Sequence, residues 1–216
     1  MPGAVVTRFN DKDQTTFSTF IHAPFKIHLD SPDKDKNSAS IVFQARFKAY
    51  SWSTDFCGLA MFGGDSDYST WEEILERTKR FKNDVNQRAL DWHLFMAPHH
   101  CSWTFFNETS VLTPKATSLE ALDYALKGAW VIASSKKIIN NDDNPPYAEA
   151  KKEYIKKLES SDKFLNTAVE PKESAPEPIV FDITANGPAR APKKSTGSAS
   201  GSAGGAGAAG AIISQG

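Results

Sequence analysis

Only 2 cysteines occur in 216 residues. Cys57 and Cys101 stand far apart, with neither a CxxC pair nor the spacing of a disulfide framework, so they read as reduced thiols rather than as staples of a small secreted scaffold. Net charge is all but missing, since 25 basic residues against 26 acidic ones leave −1. No global field therefore recommends nucleic acid, a membrane surface or an acidic partner, and any phosphate binding must be local. No uncharged run approaches the roughly 20 residues of a membrane span. The opening MPGAVVTRFNDKDQ lacks the apolar centre of a signal peptide. The expectation is a cytoplasmic protein with no membrane partner.

What is present, 40% hydrophobic residues in a chain of this length, suits one domain with loose ends. Residues 1–36 mix short apolar pieces with charge and finish in a polar run from Ser31 to Lys36, which predicts an irregular N-terminal segment. Apolar and polar residues alternate from Val42 to Tyr50. A turn at residues 51–55 then leads into an almost wholly apolar strand that stops at Gly63-Gly64-Asp65, and a strand of that composition is one covered on both faces. Thr70 and Glu73 have capping-box spacing, and Trp71, Ile74, Leu75, Thr78 and Val85 follow a helical stripe to about Arg88. Residues 91–97 read as a second apolar strand, halted by Pro98.

The alternation continues. A helix opens near Thr117 with Leu119, Leu122 and Leu126 on one side and Gly128 as its expected stop, followed by a strand at 129–133. Pro145-Pro146 introduces a third helix whose Tyr147, Tyr154, Ile155 and Leu158 share a face. Residues 164–169 and 179–183 read as closing strands, and residues 188–216 as a flexible Gly/Ala/Ser-rich tail. Strands alternating with helices in this order imply an α/β layer structure, one sheet covered by helices on one side.

The polar residues that matter cluster just past two strands joined by one helix: Gly63-Gly64-Asp65, and Pro98-His99-His100-Cys101-Ser102. Strand ends are where α/β proteins assemble sites. A carboxylate and an imidazole together form a ligand set that suits zinc, manganese or iron. Against that, Gly-Gly-Asp alone is a common turn, and two histidines after a proline are a common loop.

A strand preceded by Asn37 and Ser38, a hairpin into an apolar strand ending Gly63-Gly64-Asp65, a helix, and a strand ending Ala97-Pro98-His99-His100-Cys101-Ser102 together resemble the second half of metallo-β-lactamase-fold hydrolases related to the soluble domain of DNA-uptake channel proteins. The likeness spans about residues 37–190, and the domain proper about 37–187. It implies half of a four-layer αββα sandwich, with Asp65 as bridging ligand and His99 or His100 as ligand in a centre of two divalent metal ions, zinc ahead of manganese or iron. Ser102 and the other histidine would then orient a ligand or touch substrate. No catalytic residue beyond these ligands is identified.

Two departures are visible. The family's His-x-His-x-Asp-His motif is absent from a chain with 5 histidines, and His28-Leu29-Asp30 with His22 lacks its first and last histidines. His22 and His28 are therefore read as ordinary residues. Cys101 stands where the family usually has glycine, and is read as a small buried residue.

The resemblance implies hydrolysis of an ester or phosphodiester by metal-activated water. The activity would be incomplete in this chain and would need a complementing N-terminal half polypeptide or self-association, because the inner sheet face would otherwise be bare. A nucleic-acid or nucleotide substrate follows by family analogy alone. The other function class is a non-catalytic binding or interaction protein derived from a degenerate or truncated hydrolase, and the incomplete ligand set favours it. Trp103, Phe105 and Phe106 are expected in the core. Lys151, Lys152, Lys156 and Lys157, diluted by Glu149, Glu153 and Glu159, are expected on a solvated face.

Overall fold

A computed structural model describes residues 2–26, 36–80 and 87–192. The strands are β1 (Val5–Val6), β2 (Arg8–Phe9), β3 (Lys12–Asp13), β4 (Phe17–Ala23), β5 (Val42–Phe47), β6 (Gly58–Phe62), β7 (Trp92–Met96), β8 (Ala125–Ala133), β9 (Phe164–Asn166), β10 (Phe181–Thr184) and β11 (Gly187–Arg190). The helices are α1 (Tyr68–Arg80), α2 (Ala116–Asp123) and α3 (Ala148–Lys156). Seven strands form one mixed sheet in the order β1-β4-β5-β6-β7-β8-β9. From β1 to β6 the pairs are antiparallel, and from β6 to β9 they are parallel. The chain is thus α/β, as expected.

Because β6 to β9 advance in one direction and crossovers between parallel strands share one hand, the connecting helices all fall on one face of the sheet. The core shows this division. On the helix face, Trp71, Ile74 and Leu75 of α1, Leu122 of α2 and Tyr154 of α3 meet Trp92 and Phe95 of β7. Each of these large side chains contributes about 1.5–3 kcal/mol by leaving water. Trp103, Phe105 and Phe106 are buried among them, and Phe105 stacks on Tyr154 at 5.6 Å. These aromatics are core, as the sequence predicts.

The other face holds Ala45, Ala60, Leu94, Ile132 and Leu165, with Phe181 packed on them. It is not bare. The β10–β11 hairpin lies on it, with Phe181 edge-on to Trp130 at 5.6 Å. Ile183 comes so close to Gly58 that a Cβ there would stand 3.0 Å from its Cγ2.

Several boundaries differ from expectation. Residues 1–36 are not irregular throughout, since Phe17–Ala23 is a full strand of the sheet, paired with both β1 and β5. Its alternation is interrupted by a register shift between Ile21 and Ala23, which obscures the period. Helix α1 starts at Tyr68, earlier than Thr70, because Asp67 Oδ1 accepts the Thr70 N–H at 2.9 Å. Gly128 does not stop α2. The helix ends at Asp123, and Gly128 sits at φ 75 inside β8, where pairing with β7 shifts register. Pairing with β10 draws Pro188 and Arg190 into β11, so the expected tail loses its first residues. Residues 193–216, Val85 and His28 lie outside the described residues. Among the described residues no helix is long and apolar enough to cross a membrane.

His22 is buried in β4, where its Nε2 donates to the Ala89 carbonyl at 2.9 Å. Burial pushes its pKa from the ordinary 6.5 down to about 4, the Ala89 bond working against that and Arg46 with it. The folded value lies below the unfolded one, so the unfolded chain takes the proton first as pH falls. Stability from this residue is whole above about pH 6.5 and is lost as pH drops through about 4. The loss is on the order of 3 kcal/mol. Urea unfolding at pH 7 and pH 4.5 is expected to show His22→Gln losing markedly less stability across that interval than the wild type.

Candidate functional site

The parallel strands β6, β7 and β8 end at the same edge of the sheet, so the chain segments leaving them converge there. Gly63, Gly64 and Asp65 follow β6, and Pro98, His99, His100 and Cys101 follow β7. The two turns are tied together. The His99 N–H donates to the Gly64 carbonyl at 2.8 Å, and the Asp65 N–H donates to Ser40 Oγ at 3.2 Å. Ser66 Oγ donates to the Gly63 carbonyl and accepts the Trp71 indole N–H at 2.9 Å, pinning the turn to α1.

Both glycines are required by contact. A Cβ on Gly63 would stand 2.5 Å from Pro98 Cγ. Gly64 has φ 54, and a Cβ there would meet the Ile41 carbonyl oxygen at 2.9 Å. After Pro98, the residues His99, His100 and Cys101 all adopt left-handed backbone, with φ 46, 56 and 69. Each costs about 1–2 kcal/mol for an L-residue, and such strain collects at functional sites.

This turn presents two imidazoles whose proton positions follow from their partners. His100 Nδ1 lies 2.6 Å from the Ser134 carbonyl. A carbonyl only accepts, so Nδ1 carries a proton, and in the neutral ring Nε2 holds the lone pair. His100 Nε2 stands 3.8 Å from Asp65 Oδ1, and both side chains are about half exposed. A proton on Nε2 or another cation would relieve the two acceptors that face each other across that gap.

For His99 the partner is a hydroxyl, and the network around it decides the tautomer. Asn144 Oδ1 accepts the Trp103 N–H at 2.9 Å and the Ser102 hydroxyl at 2.8 Å. Ser102 has one proton, so its 3.0 Å contact with Thr104 uses the Thr104 proton. Thr104 Oγ1 is then an acceptor toward the His99 Nδ1–H at 3.2 Å, which in the neutral ring puts the lone pair on Nε2.

The structure therefore brings Asp65 and His100 together. It sets His99 beside them, its ring centroid 6.3 Å from that of His100. Ser102 is buried and serves as the cap of the short turn Trp103–Phe105, accepting the Thr104 N–H at 3.1 Å. Its N–H donates to the His99 carbonyl at 3.0 Å, and its hydroxyl reaches the His99 ring through Thr104. Cys101 is fully buried. Desolvation pushes its thiol up to about 12, so the free thiol stays protonated at neutral pH. His93 accepts the Leu59 N–H at Nδ1 and is held in the sheet. Burial, with Arg88 nearby, lowers its pKa.

Thr104, Asn144 and the Ser134 carbonyl are not legible as site residues in sequence. The one local signal is Ser102 two residues before Thr104, a capping pattern.

As a metal centre the fit is partial. The 3.8 Å between donor atoms is wider than the roughly 3.3 Å between two ligands of a tetrahedral zinc with bonds of 2.0–2.1 Å. Among the described residues no group of three or more His, Cys, Asp or Glu side chains is placed to hold a metal ion. No family model, no curated protein and no solved structure matches this chain.

Gly64→Ala is expected to lose about 1–2 kcal/mol from the left-handed backbone alone, with more from the Ile41 clash. Gly63→Ala is expected to displace Pro98 and with it the His99 tie. Denaturant unfolding of both variants checks this, and a Gly64→Ala protein as stable as the wild type would contradict the assigned geometry.

Proposed function

We propose that this chain carries one half of a metallo-β-lactamase-like hydrolytic centre, with Asp65 and His100 as ligands to a divalent metal ion, zinc ahead of manganese or iron. His99 stands next to them. The observation that carries this reading is the proton arrangement: a carbonyl and a hydroxyl chain hold both Nδ1 protons, so that in the neutral rings each Nε2 carries a lone pair, that of His100 facing the Asp65 carboxylate. Imidazole ligands characteristically donate their second N–H in this way, which fixes the ring and raises its basicity. The left-handed Cys101, at φ 69, adds support, because the family usually has glycine there.

When bound, such a metal supplies a water of lowered pKa and positive charge beside the attacked ester or phosphodiester. The chain's own residues do the positioning. Ser134 orients His100, Thr104 orients His99, and the Gly64–His99 bond holds both turns in register with Asp65. Two ligands fall short of the three or four that zinc uses. The remaining donors would come from a complementing half-domain bearing the histidine motif, or from a second copy, completing the second metal position as well. A nucleic-acid or nucleotide substrate rests on family analogy.

A second reading, a non-catalytic binding protein on the same fold, is favoured by the lack of a three-residue ligand group among the described residues. Zinc affinity by competition with a chromophoric chelator separates the two. Asp65→Ala and His100→Ala are each expected to weaken binding at least about tenfold, and His99→Ala less. Hydrolysis of p-nitrophenyl acetate or bis-p-nitrophenyl phosphate is expected once the complementing half is supplied. A wild-type chain that binds no zinc in the presence of that half would leave the binding-protein reading.

A further inference from the structure

On the sheet face away from the helices lies a cavity of about 260 Å³. Phe62 pairs with Met96 and Met96 with Ile132 across three neighbouring strands, and these three side chains form part of its wall. Residues 176–179 and Phe181 close it from the other side. Phe62 and Met96 are the last residues of β6 and β7. Asp65 lies three residues beyond the first and His100 four beyond the second, so at roughly 3.3–3.6 Å per residue each is within about 10–14 Å of the cavity wall. The cavity and the candidate centre share one edge of the sheet.

The chemistry of the lining selects among ligands. Apolar atoms dominate it. Among the described residues Glu177 is the one charged residue of its lining, no cationic residue lines it, and Thr167, just past β9, is its one hydroxyl-bearing residue. A phosphate or carboxylate would meet Glu177 with no counter-charge, whereas an uncharged apolar group finds matching walls. At roughly 30 Å³ per water-sized group the space takes about nine such groups.

We propose that this cavity binds the uncharged apolar part of an ester, an alkyl or aryl group of about eight or nine carbons, whose acyl carbon lies at the edge bearing Asp65 and His100. The assignment rests on the hydrolytic reading above and decides within it for a carboxylic ester over a nucleotide. In the reaction the acyl carbon gains the oxygen of water and loses the alkoxy oxygen. The alcohol leaves with a proton from that water, and no oxidant or reductant is involved. Thr167 is the hydroxyl available to the polar end of the ester.

Calorimetric titration of the full chain with 1-octanol, octanoate and adenosine monophosphate tests this. Octanol is expected to saturate with a sub-millimolar Kd, octanoate to bind at least about tenfold more weakly, and the nucleotide not to bind. Ala60→Phe, which fills the cavity, is expected to abolish octanol binding. Glu177→Lys, on the exposed strap, is expected to bring octanoate to the affinity of octanol without affecting the fold. Absence of octanol binding to the wild type, or preference for the nucleotide, overturns the proposal. So does a concentration-dependent dimer that Ala60→Phe dissociates, which would give the cavity to a second copy. Zinc binding measured on the same samples separates the two readings: zinc without octanol removes the cavity assignment and keeps the metal centre. Octanol without zinc removes the ester assignment and leaves an apolar-ligand site.

Discussion

The backbone bond from the His99 N–H to the Gly64 carbonyl joins the ends of two parallel strands that would otherwise diverge into solvent. Its 2.8 Å length is possible because Gly63 has no Cβ to hold off Pro98 and Gly64 accepts a left-handed backbone. From that tie follow the three left-handed residues, the exposure of the His100 imidazole and its approach to Asp65. Weakening it would leave three strained residues without the contacts that over-determine them. The candidate centre is thus a property of two turns held together, and neither turn would form it alone.

Behind the turns stands a sheet whose strand order leaves its two faces with different neighbours. Helices fill one face with large aromatic and aliphatic side chains, giving the rigid support from which strand ends can be aimed. Among the described residues the β10–β11 hairpin and an extended strap cover the opposite face around Leu94 and Ile132 but leave space beside Phe62 and Met96. A helix packs a continuous ridge against a sheet. An extended strap carrying Pro176 and Pro178 does not, and a cavity remains beneath it.

Legibility in the sequence followed the range of the interaction involved. The apolar run ending in Phe62 marked a strand covered on both faces, and β6 is buried along nearly its whole length. The stripe of Trp71, Ile74 and Leu75 marked α1, and all three face the core. Asp67 as the cap, Gly128 within a strand and Phe17–Ala23 as a sheet member were not legible. Each depends on which partner wins a hydrogen bond or a register, and for β4 the partners are β1, on one side, and β5, some twenty residues later in the chain. For the site, Asp65, His99 and His100 stood out as polar residues after apolar strands, whereas nothing local distinguished which imidazole would face the carboxylate.

By itself the sequence determined the alternation of strands and helices, the buried aromatic set, and the placement of Asp65 and the two histidines just past strand ends. Period and composition act over a few residues, and each segment carries them wherever it is placed. Tertiary structure alone decided that His100 meets Asp65 while His99 turns to Thr104, that Ser102 is buried under Asn144, and that the second face is roofed by β10 and β11. Apart from the short reach of His99 to Thr104, those outcomes depend on segments 35 or more residues apart competing for the same donors, acceptors and volume. That competition is settled only when the whole chain has packed.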